Sequence, residues 1–131
     1  MIVVDASVLA NVVGDDGADG ERARAELRSA GGIAAPDLVD VETVAVLRKR
    51  WLARSISARR FASAVDDLEV LAIDRYPTLR FMRRAYELRD NMTAYDATYV
   101  ALAEILGCDL ITGDRRLVAA PGTRCAIRVL A

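Results

Sequence analysis

The chain has 131 residues, of which 53% are hydrophobic and 28% charged, with a formal net charge of −1. This length suits one domain spanning 1–131 with a core of its own, and no run of about eighteen apolar residues offers a membrane span. Histidine is absent, which excludes Ser-His-Asp and Cys-His catalysis, zinc–histidine sites and histidine acid–base chemistry. Carboxylates, hydroxyls, arginines or a bound metal must carry any reaction.

The opening MIVVDASVLANVV lacks a basic lead and carries Asp5, so it reads as a first strand and not as a signal peptide. The strand covers 1–5, and a short helix follows through about Val13. Gly14 to Gly20 reads as a loop, and Glu21 to Ala30 as a helix stopped by Gly31-Gly32. Ile33 to Ala35 forms a short strand. Pro36-Asp37 opens a long helix to about Arg54, with Leu38, Val41, Ala45 and Leu52 near helical spacing. Ser57 caps a helix to about Glu69, and Leu71-Ala72-Ile73 reads as an apolar strand. Pro77 sits in the first turn of a helix to about Arg89. Thr93 caps another, ended at Gly107. Asp109–Thr112 is a strand, Asp114 starts a short helix, and 124–130 is a last strand. Strands alternating with helices predict an α/β fold with a mainly parallel sheet. Its ligand site then lies beyond the carboxyl ends of the strands.

Two cysteines, Cys108 and Cys125, form no CxxC pair, so a disulfide-rich secreted fold is excluded. Both are expected as small buried hydrophobes in a reducing cytoplasm, with a disulfide between them the lesser alternative. The basic residues are seventeen arginines and Lys49. Arginine binds phosphate bidentately, although a GC-rich genome explains the same bias.

Four carboxylates stand out. Asp5 and Asp114 each end a strand and begin a helix, so both reach the site-bearing edge. Each reads equally well as a helix N-cap. Thr112 adds a hydroxyl at that edge, although threonine also suits a strand. Asp96 begins the apolar helix TAYDATYVALAEILG, where a carboxylate loses hydration unless paired, metal-bound or exposed in the first turn. Within DLVDVETVAVLRKR, Asp37, Asp40 and Glu42 compete. Glu42 has the more apolar surroundings by a small margin. Converging carboxylates raise one another's pKa and call for a cation. Mg²⁺ or Mn²⁺ matches an all-oxygen donor set, and the lack of histidine or a thiolate cluster disfavours zinc.

These residues resemble a known family. VVDASVLANVV, PDLVDVETVAVLRKR and TAYDATYVALAEILGCDLITGDRRL together look like a PIN-domain ribonuclease of the VapC toxin type. The resemblance covers essentially the whole chain, with residues 55–90 the least diagnostic part. It implies a three-layer α/β/α fold with a mainly parallel sheet. It implies Asp5, Glu42, Asp96 and Asp114 as metal-binding acids for Mg²⁺ or Mn²⁺, supported by Thr112. Asn11 resembles a polar residue that often follows the first acid. The implied activity is endoribonucleolytic, leaving a 5′-phosphate and a 3′-hydroxyl and inhibiting translation and growth. A VapB-like antitoxin, an RNA substrate and a homodimer are the implied partners, in the cytoplasm and without a membrane. Arg115, Arg116, Arg48 and Arg50 are the candidate phosphate contacts. The tyrosines and Trp51 offer stacking surfaces, although Trp51 also suits a core or an interface.

Three rivals are weaker. Asp15, Asp19, Gly20 and Glu26 fit positions of a calcium loop, but Gly17 and Arg22 do not. An aspartyl phosphoryl-transfer domain needs a strand-end lysine, and Lys49 lies mid-helix. A catalytically inactive PIN-like module that binds RNA or protein has no need of four unpaired acids.

Overall fold

The computed structural model describes residues 1–130. Its element order is β1 (Ile2–Val4), α1 (Ala6–Gly14), α2 (Ala18–Ser29), β2 (Ile33–Pro36), α3 (Val39–Leu52), α4 (Ala58–Val70) and β3 (Asp74–Tyr76). A 3₁₀ turn (Thr78–Phe81) leads into α5 (Met82–Glu87), followed by α6 (Ala94–Leu106), β4 (Asp109–Thr112), α7 (Arg115–Val118) and β5 (Ile127–Val129).

The five strands form one sheet in the order β3-β2-β1-β4-β5, and every pairing is parallel. β1 lies at the centre, and its Ile-Val-Val is buried throughout, as a strand covered on both faces requires. Chain order runs outward from β1 through β2 to β3, then returns to the other side of β1 for β4 and β5. The topology therefore reverses between β1 and β4, where a crevice opens beyond the strand ends.

Helices cover the sheet. α6 is the most deeply placed, with Ala97 to Ala103 all buried, and it packs against β1, β2 and β4. Its apolar run explains that position, and Gly107 ends it at φ +65°, where a side chain would be strained. α1 packs against α2, α3 and α4. The architecture is the expected α/β one.

Two readings of the sequence need correction. The apolar Leu71-Ala72-Ile73 is not a strand. Leu71 caps α4 and packs with Ile73 against the core, and β3 begins at Asp74. An edge strand needs backbone pairing more than apolar side chains, and polar residues protect it; here Arg75 is held by Asp40 at 2.7 and 3.0 Å. The calcium-loop reading also fails, because 18–29 is continuous helix where a looped chelate would have to wrap. Cys108 and Cys125 are free and only partly buried. Trp51 is 42% exposed, so it is not core. Among the described residues, no helix is long and apolar enough to cross a membrane.

Candidate active site

The β1–β4 pairing sets Val4 beside Ile111, so Asp5 and Thr112 meet where both strands end. Asp5 is 9% exposed and Thr112 fully buried. Asp5 Oδ1 accepts the amides of Ser7 at 3.1 Å and Val8 at 3.2 Å, and also the Ser7 hydroxyl. Its Oδ2 accepts the Thr112 hydroxyl. Asp5 is thus both the N-cap of α1 and a fixed acid at the sheet edge. Burial pushes its pKa up, and the bonds from Ser7, Thr112 and the amides only partly oppose that.

Two further acids face the same crevice. A cavity of about 450 Å³ is lined by Asp5, Ser7, Glu42, Asp96 and Tyr99, with Arg48 and Lys49 at its side. Glu42 comes from α3 and Asp96 from the first turn of α6. Burial raises the pKa of both. Asp5 and Asp96 raise Glu42 further, while Asp5 and Asp114 raise Asp96. Glu42 Oε1 accepts the Tyr99 phenol at 2.6 Å. Burial and that carboxylate hold the phenol far above its ordinary pKa, so it stays a donor.

The three acids at the start of α3 differ in their surroundings. Asp37 accepts the Thr78 amide at 3.2 Å and the Thr78 hydroxyl. Asp40 is paired with Arg75. Glu42 alone of the three lines the cavity.

Asp114 is placed differently. It caps α7 and gives both oxygens to Arg116, at 3.2 Å each. Those contacts hold its pKa below the usual range. It joins the others through Thr112, whose hydroxyl accepts the Asp114 amide at 3.0 Å. Among the described residues no three carboxylates stand together as a ready metal-ligand group. The donor set nonetheless suits a hard divalent cation: it is all oxygen, and across one cavity Asp5 raises the pKa of both Glu42 and Asp96, and Asp96 raises that of Glu42.

Residues 2–122 match the PIN domain family. The chain is also 40% identical over 129 residues to Ribonuclease VapC1 of Mycobacterium tuberculosis, covering 98% of this chain and 96% of that protein. This chain belongs to the VapC family of PIN-domain proteins. Ribonuclease VapC9 of the same organism is 39% identical over 130 residues, 99% of this chain and 98% of that one. The crystal structure of M. tuberculosis VapC20, a sarcin-ricin loop cleaving toxin, superposes with a TM-score of 0.70 at 19% identity. It covers 91% of this chain and 94% of that chain, and it shows the shared PIN fold.

Some residues of this PIN domain sit where sequence reasoning did not look. Ser7 links Asp5 to the opposite strand end, because its hydroxyl also accepts the Gly113 amide at 2.9 Å. A Cβ at Gly113 would stand 3.0 Å from the Ser7 oxygen, so glycine permits that approach. The signal was available: a hydroxyl two residues after an N-cap aspartate. Tyr99 was equally accessible, one turn beyond Asp96 on the same face. Of the four arginines expected on phosphate, Arg48 lines the cavity, and Arg115 and Arg116 are exposed beside Asp114. Arg50 is turned the other way. It donates to Asn11 Oδ1 at 2.7 Å and to the Ala10 carbonyl at 3.5 Å, fastening α3 to α1. That contact also uses Asn11.

Proposed function

We propose that this chain is a Mg²⁺- or Mn²⁺-dependent endoribonuclease and the toxin of a VapBC-type module. The supporting observation is the convergence of Asp5, Glu42 and Asp96 on one cavity flanked by Arg48 and Lys49, at the point where strand order reverses. The ribonuclease names of relatives near 40% identity support the same reading.

Asp5 would be the most rigidly held of the donors, since hydrogen bonds reach both of its oxygens. Asp96 and Glu42 would complete the oxygen donors from two different helices, and Asp114, now held by Arg116, would join them once freed from it. When bound, such a cation would supply a water of near-neutral pKa and offset the charge developing on the phosphodiester. Arg48 and Lys49 hold the RNA backbone at the cavity mouth, and Arg115 and Arg116 extend that basic margin on the Asp114 side. Contacts of this kind give affinity without base choice. The site works in the cytoplasm, where its RNA is.

A VapB-like antitoxin is the proposed partner. An apolar hollow lined by Trp51, Ala58, Phe61, Ala62, Val65 and Asp66 offers it a docking surface, and a homodimer accounts for further exposed apolar side chains such as Leu79 and Tyr95.

The reading is tested in cells. Induction of the wild-type chain alone should stop incorporation of labelled amino acids, and Asp5→Asn should leave it running at equal expression. Equal arrest by both would refute a carboxylate-dependent toxin.

A further inference from the structure

The Glu42 carboxylate has one protein partner among the described residues, the phenol of Tyr99 at 2.6 Å. Its other oxygen, Oε2, makes no hydrogen bond there. The two partners differ in rigidity. Glu42 is a long side chain on a partly exposed position of α3, between exposed Val41 and buried Thr43. Tyr99 is 2% exposed, and its ring belongs to the buried core. A buried ring cannot follow a moving carboxylate, so the phenol sets where Glu42 Oε1 rests. Tyr99 also lies three residues after Asp96, on the same helical face, and both line the cavity.

We infer that Tyr99 is a positioning residue: its phenol fixes one oxygen of Glu42 and leaves the other free toward the cavity shared with Asp5 and Asp96. Helix α6 then contributes one acid directly and governs a second, across the cavity, through Tyr99. The inference rests on the metal-dependent reading above and adds to it the element that orders the flexible member of the set. Partners of this kind, which hold a ligand without touching the ion, typically change metal affinity by about 10–100-fold when removed.

The test is direct calorimetric titration of the purified full chain with Mn²⁺, beside RNA cleavage. Tyr99→Phe keeps the ring and removes the donor. It should weaken Mn²⁺ binding about tenfold while far-ultraviolet circular dichroism stays that of the wild type. Glu42→Gln should weaken binding too, and the double variant should bind no worse than Glu42→Gln alone, a result that a merely structural tyrosine would not produce. Glu42→Asp, one methylene too short for the phenol, should reproduce the Tyr99→Phe loss from a partly exposed position that the fold tolerates. Wild-type affinity in Tyr99→Phe or in Glu42→Asp, or additive losses in the double variant, would overturn the inference while the nuclease reading stands. A wild-type chain that neither binds Mn²⁺ nor cuts RNA would sink that reading, and the inference with it.

Discussion

The Thr112 hydroxyl donates to Asp5 Oδ2 and at the same time accepts the Asp114 amide at 3.0 Å. One buried side chain on β4 thereby couples the acid ending β1 to the acid opening α7. Thr112→Val, close in shape, removes both bonds and leaves a buried carboxylate short of a donor. Unfolding in urea should show a loss of about 1–3 kcal/mol, and cleavage should fall by about tenfold or more. Stability and activity both equal to the wild type would show that the coupling is incidental.

The acids should also write themselves into the pH dependence of stability. Burial holds the pKa of Asp5 above its ordinary 3.8 against the bonds it accepts. Folding therefore favours the protonated form. That contribution is complete below the unfolded value and is lost as pH rises through the raised folded value. Asp5→Asn is neutral throughout and escapes the loss. In EDTA, the stability of the variant relative to the wild type should rise from about pH 4 upward and level off above the folded pKa. A difference that is flat, or that falls, would contradict the burial argument.

Arg84 and Glu104 make a partly buried pair far from the cavity, at 2.8 and 3.0 Å, with side chains 17% and 11% exposed. Glu104 also accepts the Arg124 amide at 2.6 Å, and Arg84 donates to the Gly122 carbonyl at 2.8 Å. Together they pin the segment before β5 to α5 and α6. Burial pushes the Glu104 pKa up, but Arg84 and the Arg124 amide carry it below its ordinary value, so this stability is present at neutral pH and is lost as pH falls through the folded value. Arg84→Met should cost about 1.5–3 kcal/mol at pH 7, shrinking in acid, with Mn²⁺ affinity unchanged. A shift in Mn²⁺ affinity would tie this cluster to the site.

Arg116 has two roles in this account: it holds Asp114, and it stands where RNA would pass. Arg116→Ala should weaken binding of single-stranded RNA and flatten the slope of log affinity against log salt by about 0.7. An unaltered slope, measured by fluorescence anisotropy, would remove Arg116 from the phosphate contacts.

Much of this was legible in the residues. Asp5 directly follows the apolar β1, and Asp114 follows Leu110-Ile111-Thr112 of β4 across Gly113, so the parallel rule places both on one edge. Asp96 announces itself as a charge at the head of an apolar helix. Glu42 was separable from Asp37 and Asp40 only through Thr78 and Arg75, which lie 35 or more residues away and leave no local trace. β3 was missed because an edge strand needs no apolar pattern, while the apolar linker before it packs without pairing. Arg50 looked like its neighbour Arg48, yet two positions along a helix turn the side chain through some 200°, away from the cavity and onto Asn11.

The central claim is tested most directly by incubating the purified chain with RNA in Mg²⁺ or Mn²⁺, beside EDTA and Asp96→Asn. Discrete fragments bearing 5′-phosphates should form and should disappear in both controls. Intact RNA with the wild type, or equal cutting in all three, would contradict it and leave the fold as a binding module.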